Sequence, residues 1–187
     1  MKDLVIVGAG EFAEIACQYF AKDSEYQVVA FAVESQYLNG EKQLLGLPIV
    51  PFENLERVYP PERCDTFVAI TYTQLNRTRK RLFRHCKGKG YHCASYISSH
   101  SFVWENAEIG ENTFIFENND IQYHARVGDG VVIWSGGYIA HRTVIENFCW
   151  LSGRCAVAGF CRIGEGSFLG TNITMGDNVV LGKDTVL

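Results

Sequence analysis

Sixteen aliphatic side chains recur at every sixth residue without a break: Ile97, Val103, Ile109, Ile115, Ile121, Val127, Ile133, Ile139, Ile145, Leu151, Val157, Ile163, Leu169, Met175, Leu181 and Leu187. A helix face repeats every 3.6 residues and a half-buried strand every two, so a strict period of six over ninety residues fits neither. It fits a parallel β-helix, in which each hexad supplies one short strand and one corner. A second column stands two residues before the aliphatic one and is mostly small: Ala107, Thr113, Asn119, Ala125, Val131, Gly137, Thr143, Cys149, Cys155, Cys161 and Ser167. Alternating large and small side chains can share a narrow coil interior. Glycine often follows the aliphatic, at Gly110, Gly128, Gly164, Gly170, Gly176 and Gly182, where a tight corner is expected.

Three hexads make one coil, so this region is expected to form about five coils at ~4.8 Å each. Eight aromatic residues occupy outward hexad positions: Trp104, Phe116, Tyr123, Trp134, Tyr138, Phe148, Trp150 and Phe160. So many exposed rings suggest a face buried against another subunit, and a closed trimer would leave none of them free. The bland alternative is local cover of the prism. The seven cysteines are odd in number and hold no CxxC pair, which argues against a disulfide framework or a zinc knuckle. Cys149, Cys155 and Cys161 fall on the small column and are expected to be packing residues. The net charge of −4 argues against a nucleic-acid partner. No apolar run approaches the ~20 residues that span a bilayer, so no membrane insertion is expected. The start has no secretory layout, and the chain is expected to be cytoplasmic.

Residues 1–96 read as a small α/β domain, and residues 97–187 as the β-helix. Strands are expected at 3–7, 27–33, 66–70 and 92–97, with helices at 11–21, 52–59 and 76–87 and a connection over 35–51. Alternating strand and helix implies a small Rossmann-like parallel sheet. Gly8-Ala9-Gly10-Glu11-Phe12-Ala13 is a GxGxxA loop between strand and helix, where glycines allow a phosphate to approach helix N–H groups. Glu34 ends the second strand, about where a ribose-binding carboxylate would stand. Nucleotide-type binding and a structural turn both remain open, while the domain looks too small for a full redox-dinucleotide fold. Seven of the seventeen Lys and Arg residues crowd into 77–89. A solvated helix face is the simplest reading of that run, and attraction of a phosphorylated substrate or an anionic membrane surface is the alternative.

His141 takes an outward position in Ile139-Ala140-His141-Arg142-Thr143. Eighteen residues move one coil along the same face, which puts Tyr123 below it and Gly159 above. Imidazole titrates near working pH, and the Gly159 N–H could face a developing oxyanion, so a general-base site is one reading. A surface histidine without a role is the other. His124 would lie near His141 on the adjacent coil. A metal site shared between subunits, as in γ-class carbonic anhydrases, would need a third ligand that the sequence does not offer nearby, so no metal is expected.

A glycine-loop α/β domain fused to uninterrupted hexads resembles the PglD/NeuD-type sugar acyltransferases of bacterial surface-glycan (lipopolysaccharide) pathways. The resemblance rests on VIVGAGEFAEIA, VWENAEIGENTFIFENNDIQ, IWSGGYIAHRTVIENFCWLSGRCAVAG and RIGEGSFLGTNITMGDNVVLG, and it covers the whole chain. It implies a left-handed β-helix, a homotrimer with active sites between subunits, and acetyl-CoA as co-substrate. It implies His141 as general base and the Gly159 backbone as oxyanion donor. It also implies Trp150 and Thr171, with Gly159, as acetyl-CoA contacts. Gly8, Ala9, Gly10, Glu11, Phe12 and Glu34 are implied as binding residues for a sugar or nucleotide-sugar acceptor. The implied reaction is direct acetyl transfer to an amino or hydroxyl group of a sugar, with a nucleotide-linked sugar expected. Two positions depart from the pattern. Arg142 stands where these proteins place a carboxylate after the histidine, and Trp134 stands where they place Asn. The hexads are still running at Leu187, where relatives continue with further coil and a tail that contacts coenzyme A. The rival readings are an inactive hexapeptide assembly or ligand-binding module and the metal-dependent carbonic-anhydrase type.

Overall fold

A computed structural model describes every residue, Met1–Leu187. The chain forms two compact units: Met1–Thr71 with Arg81–Ala94, and Tyr72–Lys80 with Ser95–Leu187.

The first unit is built on β1 (Lys2–Val7), α1 (Glu11–Lys22), β2 (Tyr26–Val33), β3 (Gln43–Leu44), β4 (Leu47–Pro51), α2 (Leu55–Val58), β5 (Cys64–Val68) and most of α3 (Arg77–Gly88). The sheet order is β3-β4-β2-β1-β5. Central β1 is hydrogen-bonded on both sides, and Leu4, Val5, Ile6 and Val7 are all buried, which explains its unbroken apolar run. β4, β2, β1 and β5 are parallel, and only β3 is antiparallel. The connection expected over 35–51 therefore contains β4, despite Pro48 and Pro51. β4 has only the two-residue β3 beyond it, and prolines are tolerated near such an edge. The fourth strand expected over 92–97 does not exist as one element. Cys93 makes a single parallel bridge to Thr66, whereas Tyr96–Ile97 is the first strand of the β-helix.

Asp65, at the base of β5, is buried; it accepts a hydrogen bond from the Tyr26 hydroxyl (2.8 Å) and forms an ion pair with Lys2 Nζ (2.6 Å), with His92 Nδ1 at 3.0 Å. Burial alone would raise its pKa, but the Lys2, Tyr26 and His92 contacts outweigh it and hold the carboxyl below its usual value. A depressed folded pKa gives stability that is present above the unfolded value and is lost as pH falls through the folded one. Asp65→Asn is expected to cost about 2 kcal/mol at pH 7 and to flatten the acid limb of a urea-unfolding series run from pH 7 to 3.

The second unit carries fifteen two-residue strands, from Tyr96–Ile97 to Val180–Leu181, in three parallel five-stranded sheets. Each residue pairs with the one eighteen positions on, as Asp120 with Tyr138 and Tyr138 with Ala156. The coil is a left-handed β-helix. The second residue of each pair points inward. Ile115 through Met175 at six-residue steps are buried, while Ile97 and Leu187, at the two ends, are 39% and 46% exposed. The small column does more than save space, because it donates hydrogen bonds to corner carbonyls fifteen residues ahead. Thr113 Oγ1 reaches Gly128 O (2.9 Å), Thr143 Oγ1 reaches Ala158 O (2.8 Å), and Cys161 Sγ reaches Gly176 O (3.0 Å). This accounts for cysteine, threonine and serine where alanine would fit. All seven cysteines are buried and unpaired in disulfides, and burial lifts the Cys149 thiol to about 12.

Each corner needs one residue in the left-handed region, and it recurs every six residues from Asn112 (φ 54°) to Asp184 (φ 53°). This position lies two residues beyond the expected corner glycines. Gly110, Gly128 and Gly164 instead sit where the next coil passes close: a Cβ on Gly110 would lie 2.6 Å from Asp129 N. Asn, Asp and Gly fill most of the left-handed positions, as their local sterics favour, but His124, Arg142, Phe148, Arg154 and Phe160 also occupy them.

Residues Tyr72–Lys80 strap one sheet of this unit. Arg79 is fully buried and donates from Nε to Gly130 O (3.0 Å) and from Nη2 to Cys149 O (3.3 Å), with its guanidinium 5.3 Å from the Trp150 ring centroid. Asn76 Nδ2 donates to Gly166 O (3.0 Å), and Lys80 pairs with Glu165. The basic run is thus not a solvated face at Arg79. The eight outward rings also divide. Phe116, Phe148 and Trp150 are at most 4% exposed within one chain, while Trp104, Tyr123, Tyr138 and Phe160 remain 38–51% exposed. Local cover accounts for the first group, because a periodicity count cannot see a strap that arrives from outside the repeat.

Candidate functional site

His141 stands in the turn between strands Tyr138–Ile139 and Val144–Ile145 and is exposed. The imidazole lies directly over Gly159: a Cβ built there would be 2.6 Å from Cε1 and 2.9 Å from Nε2. Its other neighbour is Phe160, edge-on at 5.1 Å. One coil below, the Tyr123 carbonyl accepts the Arg142 amide (3.0 Å), and the Arg142 guanidinium lies 5.8 Å from the Tyr123 ring. His124 packs against that same ring at 4.2 Å. Arg142 thus turns to an aromatic face rather than serving as an acceptor for His141.

The Gly159 amide, expected to face an oxyanion, instead donates to Asp177 Oδ1 at 2.8 Å. Asp177 lies eighteen residues on, so the same coil count that placed Gly159 could have found it. Other corners hold the same link, as with Glu111 N to Asp129 Oδ1 and Asp129 N to Asn147 Oδ1, both 2.8 Å. What Gly159 does give His141 is space. Gly159→Ala is expected to displace the imidazole while leaving thermal stability nearly unchanged, because a surface side chain can swing aside. Circular-dichroism melting beside a steady-state rate checks this: the rate should fall at least about tenfold, with a melting shift of only a few degrees.

Trp150 and Thr171 come together in an open groove of about 290 Å³, with Tyr72, Trp134, Ser152 and Gly153. Trp134 and Tyr72 lie outside the binding residues read from the sequence. Tyr72 carries no periodic signal, since it belongs to no hexad. The groove opens at the turns before the Tyr138–Ile139 column of strands, and His141 follows that column. The two therefore occupy different corners of one coil.

In the first unit, Gly8 adopts φ 122°, and a Cβ there would meet Ala69 O at 2.8 Å, so packing alone requires a glycine. Gly10, the N-cap of α1, has nothing within 4 Å of a built Cβ, and no side chain caps the helix. The Ala13 amide turns back to Gly10 O (2.8 Å), and exposed Glu11 and Glu14 in the first turn already complement the helix dipole. Ala9 is partly buried between the two glycines. Phe12 is buried against Phe67 (6.1 Å), a core role. Glu34 holds Arg81 in a bidentate pair (2.7 and 2.8 Å). The Arg81 hydrogen bonds keep its carboxyl below the usual range against the opposing effect of burial.

No group of three His, Cys, Asp or Glu side chains is arranged to hold a metal ion. No helix is long and apolar enough to cross a membrane.

No family model matches the sequence, and no curated protein matches it significantly. Solved structures do match over its whole length. The acetyltransferase domain of PglB from Neisseria gonorrhoeae FA1090 is 21% identical with TM-score 0.86, covering 100% of this chain and 88% of that one; it has also been solved in complex with acetyl coenzyme A. PerB from Caulobacter crescentus, in complex with CoA and GDP-perosamine, is 23% identical with TM-score 0.78, covering 100% and 89%. WeeI from Acinetobacter baumannii AYE is 19% identical with TM-score 0.64, covering 100% and 92%. At these identities the likeness is one of fold.

Proposed function

We propose that the protein is an acetyl-CoA-dependent acyltransferase that acetylates an amino or hydroxyl group of a nucleotide-linked sugar. One observation carries the reading: an exposed imidazole seated over a glycine on the middle coils of a β-helix, in a fold matched along its whole length by a solved acetyltransferase domain and by PerB, which holds CoA and GDP-perosamine. His141 takes the proton from the acceptor as it attacks the thioester carbonyl, and the thiol of coenzyme A leaves. No covalent enzyme intermediate is needed, since every cysteine is buried. The acceptor's nucleotide is read onto the glycine loop at Gly10 and the start of α1, where no side chain caps the helix. Oxyanion stabilisation through Gly159 requires Asp177 to release the amide, so another donor, from ligand-induced movement or a second copy, completes the site.

His141 and the Trp150–Thr171 groove stand at different corners of the coil, so a site using both is completed by a neighbouring copy. Exposed Phe102, Trp104, Tyr123, Tyr138 and Phe160 offer that copy an apolar contact surface. A homotrimer is the assembly read here, and light scattering at micromolar concentration tests it.

A second reading, an inactive assembly module, is favoured by the Asp177 bond to Gly159 and by Arg142. The experiment that separates the two is mass spectrometry of reactions with acetyl-CoA and a panel of UDP-, dTDP- and GDP-linked amino and hydroxyl sugars. An acetylated product on one acceptor supports the enzyme, and its absence across the panel in a CoA-binding protein favours the module.

A further inference from the structure

Trp150 cannot offer a ring face to a ligand. It is 4% exposed, with Tyr72 edge-on at 5.5 Å, the Arg79 guanidinium at 5.3 Å and Trp134 tilted at 6.1 Å. The rings that do face the groove are those around it. Tyr72 is 50% exposed and also rests on Phe168 at 4.6 Å, and Trp134 is partly exposed and stacks on Phe116 at 4.3 Å and 12°. Ser152, Gly153 and Thr171 line the same groove. Tyr72 is not a loosely placed surface ring. The residues just after it, Gln74, Leu75 and Asn76, form a run of three in the left-handed region, and Asn76 and Arg79 tie the segment to carbonyls of the coil. A pair of braced aromatic rings in a groove also lined by Ser152 and Thr171 suits a flat ring with a polar edge.

We propose that Tyr72 and Trp134 form the donor-binding wall of the groove, gripping acetyl-CoA by a ring face, with Trp150 as their buried support. This rests on the acetyl-transfer reading and assigns its donor specificity to two residues, one of them from outside the repeat. A stacked ring contributes to binding through its whole face, so losing one should weaken donor binding about tenfold.

The test titrates coenzyme A, without acceptor, into the full-length protein by calorimetry, and follows tryptophan fluorescence in parallel. Wild type should bind, with quenching that falls sharply in Trp134→Phe, because Trp104 does not line the groove and Trp150 keeps its ring buried. Tyr72→Ala should weaken binding at least about tenfold, while Tyr72→Phe, which keeps the ring, should stay within about twofold. Tyr72→Leu serves if the alanine variant melts early. Wild-type affinity in both Tyr72→Ala and Tyr72→Leu, with quenching unchanged in Trp134→Phe, would overturn the assignment and leave acetyl transfer standing. A loss of nucleotide-sugar affinity in Tyr72→Ala with coenzyme A binding intact would also overturn it, giving the groove to the acceptor. Failure of wild type to bind coenzyme A at all would remove the acetyl-transfer reading itself, and this assignment with it.

Discussion

Replacing His141 by alanine is expected to lower kcat for acetyl transfer by about 10²–10⁴, the usual contribution of a positioned general base. Donor KM should change little, since the groove proposed for the donor lies at another corner of the coil. Folding should be unaffected. The imidazole is exposed and rests on Gly159 and Phe160 rather than in the core. The measurement is a steady-state rate for both proteins on one confirmed acceptor, with melting curves alongside. Equal rates would mean that His141 takes no part in the transfer, and a rate lost together with the fold would mean a structural role. His141→Ala and Gly159→Ala should fail in the same way, the first by removing the base and the second by displacing it. Combining them should cost little more than His141→Ala alone.

The largest effect on stability is expected at Arg79. Arg79→Leu should cost about 4 kcal/mol, because it leaves the Gly130 and Cys149 carbonyls without their guanidinium donors and strips the cation from the Trp150 face. Burial draws the guanidinium pKa down to about 9, which still leaves it charged at neutral pH. Lysine is not an adequate substitute, since one ammonium cannot reproduce a planar fork that reaches two carbonyls on different coils. Thermal melting followed by tryptophan fluorescence should show a midpoint lower by roughly 10 °C. An unchanged midpoint would mean that the strap contributes nothing to the coil's stability. Because Tyr72 belongs to the same strap, donor affinity should fall in Arg79→Lys even at temperatures where the protein remains folded.

The repeat was legible almost residue by residue, because burial inside a narrow coil leaves no freedom in period. Each aliphatic from Ile115 to Met175 points inward, and the eighteen-residue stacking of His141 on Gly159 follows from counting. The same count would have shown Asp177 at the Gly159 amide, but only by also asking which side chains accept from which corners. What arrives from outside the repeat left no periodic mark. The strap that buries Arg79, and with it Phe148 and Trp150, reads in sequence as an ordinary basic helix start. β4 was hidden by its two prolines, which a near-edge strand accommodates. Glu34 stands at the end of β2 as expected, yet its bidentate partner Arg81 is distant in sequence, and no local pattern announces that pair.

The side-chain links that climb from coil to coil, such as Asp129 to Asn147 and Gly137 to Asn119, give the β-helix a mechanical character. Every coil is fastened to the next by the same few bonds, and no coil is clamped to one far along the chain. Pulled from its C-terminal end, such a spring should not snap as a block. It should unwind one turn at a time, each release paying out eighteen residues, about 60 Å of contour. Single-molecule force spectroscopy would record this as an evenly spaced sawtooth, with taller teeth while the strap still holds Gly166, Cys149 and Gly130.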